Sequence, residues 1–125
     1  MSKKILIVDD FKTIRAIVSS TLRINKFEIF EAGTVEEAEK ILETEKIDLI
    51  LSDYNMPEMN GYEFLKRIRA SSKFKNLPFV FLTSEKDKTK MQMAKEAGLD
   101  AWIQKPYNLD NFVNTLNHTI EKKSA

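Results

Sequence analysis

Short apolar runs, each stopping at a polar residue and giving way to a helical spacing, recur along this chain, and few architectures accept that alternation. The sharpest instance is Ile47 to Leu65, where Leu49, Ile50 and Leu51 lead through Ser52 to Asp53. A short, nearly continuous apolar run is the pattern of a parallel strand buried on both faces. Asn55, Pro57, Asn60 and Gly61 then supply turn chemistry before Tyr62, Phe64, Leu65 and Ile68 resume a helical spacing. The segment reads as strand, loop, helix. Ligands bind beyond the carboxyl ends of strands in open parallel sheets, so Asp53 is delivered where chemistry takes place. Taken alone, it reads equally well as an ordinary turn or capping aspartate.

The same unit repeats along the chain. Ile5 to Val8 is a strand ending in Asp9-Asp10, and Ile14, Ile17, Val18, Thr21 and Leu22 mark an amphipathic helix that Asn25 closes in a left-handed conformation. Phe27 to Ala32 forms a second strand, and Thr34 followed by Glu37 resembles a capping box for a helix running to about Glu45. After the Tyr62 to Ser71 helix, Pro78 introduces a strand from Phe79 to Leu82 that ends in Thr83-Ser84. A charged helix follows from Glu85 to Gly98, then a short strand from Asp100 to Gln104 broken by Lys105-Pro106. Asn108 or Asp110 caps the last helix, whose Leu109, Phe112, Val113, Leu116 and Ile120 share a face. Strict alternation of strand and helix implies a parallel sheet with right-handed crossovers and helices on both faces.

At 125 residues, one domain spanning 1–125 is expected. The net charge of +1 lacks the basic footprint of a nucleic-acid binder, so a protein or small-molecule partner is expected. The apolar run Ile5 to Val8 is too short for a signal-peptide core and no run approaches bilayer length, which points to a cytoplasmic protein without a membrane partner. With no cysteine, disulfides and thiolate metal sites are excluded. The glycines are Gly33, Gly61 and Gly98, so the loop after the first strand carries neither a dinucleotide fingerprint nor a P-loop.

All the carboxyl ends of a parallel sheet share one edge. Asp9-Asp10, Asp53, Thr83-Ser84 and Lys105 are therefore expected to converge. Crowded carboxylates repel one another unless a cation neutralises them, and Mg2+, a hard ion that favours oxygen ligands, is the cation expected. A lysine and a hydroxyl beside such a site suit a phosphoryl group, and a central carboxylate can itself be the nucleophile that forms an acyl phosphate.

The IVDD, SDYNMPEMNG, LTSE and QKPY segments together resemble the receiver domain of two-component response regulators, over essentially the whole chain and closest to the stand-alone chemotaxis type. The resemblance implies a flavodoxin-like, doubly wound five-stranded sheet of order 2-1-3-4-5. It implies that Asp53 is the phosphoacceptor, Asp10 a direct Mg2+ ligand, Asp9 a helper often acting through water, and the Asn55 backbone carbonyl a further ligand. Lys105 would pair with phosphoryl oxygens, joined to Pro106 by a cis bond. The Thr83 hydroxyl would close on the phosphoryl group, aided by the Ser84 backbone N–H. Asn55 and Glu85 would flank the attacking water in hydrolysis, giving a short-lived phosphoryl group.

The implied function is a signalling switch that catalyses its own phosphorylation and dephosphorylation. Its donor would be a sensor histidine kinase or phosphotransfer protein, and a monomer would signal to a downstream protein through the fourth helix, fifth strand and fifth helix. Trp102 stands where relatives usually carry the tyrosine or phenylalanine that swings as the threonine moves, and its bulk puts that part of the switch in question. A half-buried core tryptophan is the other reading. Met93 falls off the core stripe of the fourth helix and is available to a partner. Lys86, Lys88, Lys90 and Lys95 read as a solvated face or an attractor for an acidic peptide. His118 has no companions at metal-ligand spacing. Thr115 and His118 lack the lysines that the chemotaxis regulator carries there. A flavodoxin-type electron carrier is disfavoured by DDFKT, and a haloacid-dehalogenase-type phosphatase by the adjacency of Asp9 and Asp10. The alternative from another class is a degenerate receiver that serves as a phosphorylation-independent binding scaffold.

Overall fold

The computed structural model describes residues 2–124. Five strands alternate with five helices: β1 (Lys4–Val8), α1 (Lys12–Ile24), β2 (Glu28–Ala32), α2 (Val35–Thr44), β3 (Leu49–Ser52), α3 (Gly61–Ala70), β4 (Phe79–Thr83), α4 (Lys88–Glu96), β5 (Ala101–Gln104) and α5 (Leu109–Ser124). The strands form one parallel sheet in the order β2-β1-β3-β4-β5. This is the doubly wound, flavodoxin-like arrangement expected from the sequence.

Burial follows from the alternation of side chains along each strand. Leu6, Val8, Ile50, Phe79 and Phe81 pack with α2, α3 and α4, whereas Ile5, Ile7, Leu49, Leu51, Val80 and Leu82 pack with α1 and α5. The central strands are therefore apolar on both faces, as a sheet covered by helices on both sides requires. An aromatic row crosses the first of these cores. Phe64 meets Phe79, Phe79 meets Phe81, and Phe81 meets Trp102, each edge to face with centroids 5.3 to 5.4 Å apart.

Local structure differs from the sequence reading in several places. The buried face of α1 is Val18, Ser19 and Leu22, while Ile14 and Ile17 are exposed. The helix is rotated because Arg15 and Ser19 turn inward to Glu31 on β2, taking polar groups into the interface. Asn25 caps α1 at φ −91°, and Lys26 takes the positive φ of 74° instead. α4 begins at Lys88 rather than Glu85, since the Asp87 side chain accepts the Lys90 N–H and so fixes the start of the helix. Asn108 is the residue that caps α5, its side chain accepting the Asn111 N–H. Thr34 caps α2 by accepting the Glu37 N–H, but the Glu37 carboxylate reaches back to the Gly33 N–H.

The loop from β3 to α3 is closed by the Gly61 N–H on the Tyr54 carbonyl at 2.7 Å and by a reciprocal capping box between Asn60 and Glu63. A Cβ at Gly61 would stand 2.5 Å from Phe81 Cε1 and 2.7 Å from the Asp53 carbonyl oxygen. We predict that Gly61→Ala destabilises the fold by roughly 2–3 kcal/mol, because the obstructing atoms are backbone and a packed ring. Urea denaturation would measure it, and an unchanged midpoint would show that the loop yields freely.

Candidate functional site

The register between β1 and β3 decides where the carboxylates meet. Val8 pairs with Ser52, so the residues that follow leave neighbouring strands at the same level. The Asp53 N–H donates to the Val8 carbonyl at 2.9 Å, and the Asp9 N–H donates to the Ala32 carbonyl on β2 at 3.1 Å. Asp9, Asp10 and Asp53 each offer a carboxylate oxygen, and these oxygens lie within 4.8 Å of one another. Asp9 is buried, with Oδ1 accepting the Phe11 N–H at 2.9 Å. Asp53 Oδ1 accepts the Tyr54 N–H at 2.7 Å. Asp10 Oδ1 is buried and has no hydrogen-bond partner among the described residues.

Burial pushes the Asp9 carboxyl above its ordinary value; the Phe11 N–H opposes that shift, the Asp53 charge adds to it, Lys105 opposes it, and Asp10 adds to it. The donor set fits a hard divalent cation. It consists of carboxylate oxygens, one of them orphaned, in a cluster whose mutual repulsion a cation would relieve. Lys105 completes the pocket, its Nζ 3.9 Å from Asp9 Oδ2.

Thr83 and Lys105 arrive together because β4 and β5 are in register, the Lys105 N–H donating to the Thr83 carbonyl at 2.9 Å. Thr83 is fully buried and its Oγ1 accepts the Glu85 N–H at 3.2 Å, whereas Ser84 is exposed at the sheet edge. The Lys105-Pro106 bond is cis. Asn55 and Glu85 face one another, Asn55 Nδ2 donating to Glu85 Oε1 at 3.4 Å. Glu85 Oε1 also accepts Lys90 Nζ at 2.9 Å, and Oε2 accepts the N–H groups of Lys86 and Asp87. The Lys90 hydrogen bond, followed by the Asp87 N–H, holds the Glu85 carboxyl down to about 2.

Trp102 does not join the carboxylates. It is half-buried against Tyr54 and Phe81, each ring centroid 5.4 Å away, and its Nε1 is buried without a hydrogen-bond partner among the described residues. Lys90 Nζ lies 5.5 Å from the centroid of the Tyr54 ring. Met93 is exposed, as its place off the core stripe predicts, and His118 is also exposed.

Two residues at the site were not singled out in the sequence reading. Lys90, counted there among a run of lysines, is the ion partner of Glu85. Arg15 sits behind the acidic pair, donating to the Asp9 carbonyl and to Glu31 Oε1. The signal for it is a polar stripe at Arg15, Ser19 and Arg23, one helical turn apart on α1.

A family profile described as the response regulator receiver domain matches residues 5–117. The chain is 38% identical over 106 residues to a chemotaxis protein CheY homolog of Campylobacter jejuni, covering 83% of this chain and 82% of that protein. It is 37% identical over 120 residues to chemotaxis protein CheY-3 of Vibrio cholerae, covering 95% and 92%. Among solved structures, chemotaxis response regulator CheY4 of Vibrio cholerae superposes with a TM-score of 0.85 at 37% identity, covering 95% of this chain and 99% of that one. A CheY-like receiver domain protein from Methanospirillum hungatei superposes at 0.89 with 26% identity, covering 99% and 98%.

The raised Asp9 pKa fixes the sign of a pH effect. The folded chain binds more protons than the unfolded one just above the ordinary value of 3.8, so stability falls as pH rises through that window. In metal-free buffer at neutral pH, Asp9→Asn is expected to gain about 1 kcal/mol, or about 4 °C in Tm, by removing one of three like charges. The gain should shrink as the pH falls toward 4, as the wild-type carboxyl takes up its proton. Thermal melts of both proteins across that range test it, and equal melting points at neutral pH would refute the repulsion argument.

Proposed function

The chain belongs to the response regulator receiver domain family, and from that premise we propose that it is a phosphorylation-dependent switch whose Asp53 accepts a phosphoryl group from a protein phosphohistidine. The observation that carries the reading is the convergence of Asp9, Asp10, Asp53 and Lys105, with Asp10 Oδ1 left without a protein partner. We read residues 1–125 as one such domain, acting as a monomer in the cytoplasm. The donor is a sensor kinase or phosphotransfer protein. Exposed apolar side chains close to the acidic pair suit a protein donor: Phe11, directly after Asp10, is 60% exposed, and Ile17 on α1 is 59% exposed.

In this reading Asp10 and Asp53, with Asp9 acting largely through water and the Asn55 carbonyl, hold Mg2+. When bound, the ion neutralises charge on the transferring phosphoryl group. An Asp53 carboxylate oxygen attacks phosphorus, the P–N bond to the imidazole breaks, and its electron pair returns to the imidazole nitrogen. Lys105, whose Nζ lies 3.9 Å from Asp9 Oδ2, pairs with a phosphoryl oxygen in place of Asp9. The Thr83 hydroxyl and the Ser84 N–H then engage the remaining oxygens. Contacts made only with phosphate present favour one of two states of the β4–α4 segment, and the face formed by α4, β5 and α5 transmits that state to a partner protein. The names of the relatives from Campylobacter and Vibrio support a place in chemotaxis. The second reading, a scaffold that no longer takes phosphate, is favoured by Trp102 alone, since its partly buried indole already fills the space beside Phe81.

Two experiments test the proposal. Incubation with acetyl phosphate should add one phosphoryl group to the intact mass of the wild type in the presence of Mg2+, and none to Asp53→Asn or to samples without the ion. Absence of any addition, under a donor kinase as well, would replace the switch with the scaffold. If Asn55 and Glu85 flank the hydrolytic water, the phosphorylated protein should lose its label soon after the donor is removed. Label that persists for many hours would remove their role and leave the switch intact.

A further inference from the structure

The peptide that joins Asp9 to Asp10 lies just past the end of β1, where the ladder no longer engages its carbonyl. On the amino side, the Asp9 N–H is held by β2 through the Ala32 carbonyl. On the carboxyl side, the Asp9 carbonyl accepts Arg15 Nη1. The guanidinium is itself fixed: Nε donates to Glu31 Oε1 at 3.1 Å, and the Arg15 side chain is only 14% exposed. Glu31 is held in turn by the Ser19 hydroxyl at 3.0 Å and by Arg23 at 3.8 Å. Gly33 leaves space for this fork, since a Cβ there would stand 3.3 Å from Arg15 Nη1.

We propose that Arg15 is a positioning residue for the metal pocket, fixing the Asp9-Asp10 peptide and, through it, the Asp10 carboxylate in the orientation that binds Mg2+. The inference rests on the metal reading given above. Its basis is geometric. The Ala32 bond holds the peptide before Asp9 and the Arg15 bond holds the one after it, so the backbone on both sides of Asp9 is fixed where it leads into Asp10. Partners behind a metal ligand commonly tune affinity in this way. The guanidinium spends its charge on Glu31 and a neutral carbonyl, so it anchors the corner without competing for the carboxylates.

Charge and geometry separate experimentally. Arg15→Lys keeps the positive charge but loses the planar fork that reaches Glu31 and the carbonyl together. Arg15→Met removes both. The proposal predicts that the Mg2+ dissociation constant, measured by titration calorimetry on folded protein, rises about tenfold in Arg15→Lys and by at least as much in Arg15→Met. Gly33→Ala, which crowds the guanidinium while retaining it, should weaken binding in the same direction by a smaller factor. Circular dichroism at the working temperature confirms that each protein is folded, and Gly33→Ala carries the test if the arginine variants do not fold. Wild-type affinity in both Arg15→Lys and Gly33→Ala, within about twofold, would overturn the proposal and leave the metal site standing. Tighter binding in Arg15→Met with no change in Arg15→Lys would also overturn it, since only the field of the charge would then matter. A wild type that binds no Mg2+ would instead overturn the metal reading on which the proposal rests.

Discussion

The parallel pairing of β1 with β3, Val8 opposite Ser52, is the constraint from which the rest of the site follows. It brings like charges together at a free-energy cost that burial of Asp9 enlarges. The sheet tolerates the cost because the flanking strands are apolar on both faces and packed into two cores, one shared with α2, α3 and α4 and the other with α1 and α5. Stability gathered in the cores is thus set against repulsion at one edge. A ligand that binds the folded edge and not the unfolded chain recovers part of it.

The pocket is joined to the α4 surface by a continuous set of contacts. Thr83 Oγ1 accepts the Glu85 N–H, Glu85 holds Lys90 on α4, and Lys90 lies over the Tyr54 ring, which packs on Trp102. Any rearrangement that turns the Thr83 hydroxyl toward a phosphoryl oxygen lengthens or breaks the Glu85 contact. That loosens the segment which Glu85 organises through the N–H groups of Lys86 and Asp87. The same segment sets where α4 starts, because Asp87 is its cap. Thr83 at the candidate site and the first turn of α4 therefore share one short stretch of backbone.

Much of this was legible in the sequence, and most of what was not traces to tertiary polar contacts. The apolar runs ILIV, LIL and FVFL specify strands buried on both faces, and a carboxylate or hydroxyl after each specifies what reaches the edge. Apolar periodicity misplaced the inner face of α1, because Arg15 and Ser19 are buried against Glu31, a partner 16 residues away from Arg15 in the sequence. Asn25 was the expected left-handed residue by propensity, yet Lys26 takes that conformation, and the helix end closes with the Lys26 and Phe27 N–H groups donating to the Arg23 and Leu22 carbonyls. Glu85 opens the charged fourth helix in the sequence reading, three residues before α4 starts at Lys88. Its carboxylate is instead engaged by Asn55, by Lys90 and by two backbone N–H groups in the loop. The misses at the α1 face and at the α4 start each involve a polar group satisfied by a tertiary partner, which periodicity cannot see.

The two edges of the sheet use similar chemistry to opposite ends. At the amino edge, Arg69 donates to the Gly98 carbonyl, the Leu77 carbonyl and Asp100, while Asp100 also accepts the Phe79 N–H and pairs with Lys123. Donors and acceptors there are matched, and the result ties α3, α5 and the starts of β4 and β5 together. At the carboxyl edge, the arginine that could have neutralised the acids is turned to a carbonyl and to Glu31, leaving Asp9, Asp10 and Asp53 with Lys105 as the nearby cation among the described residues. One such network is matched in charge while the other is short of positive charge, which makes the second the better candidate for a ligand. The deficit, more than the count of carboxylates, is what singles out this edge as the candidate site.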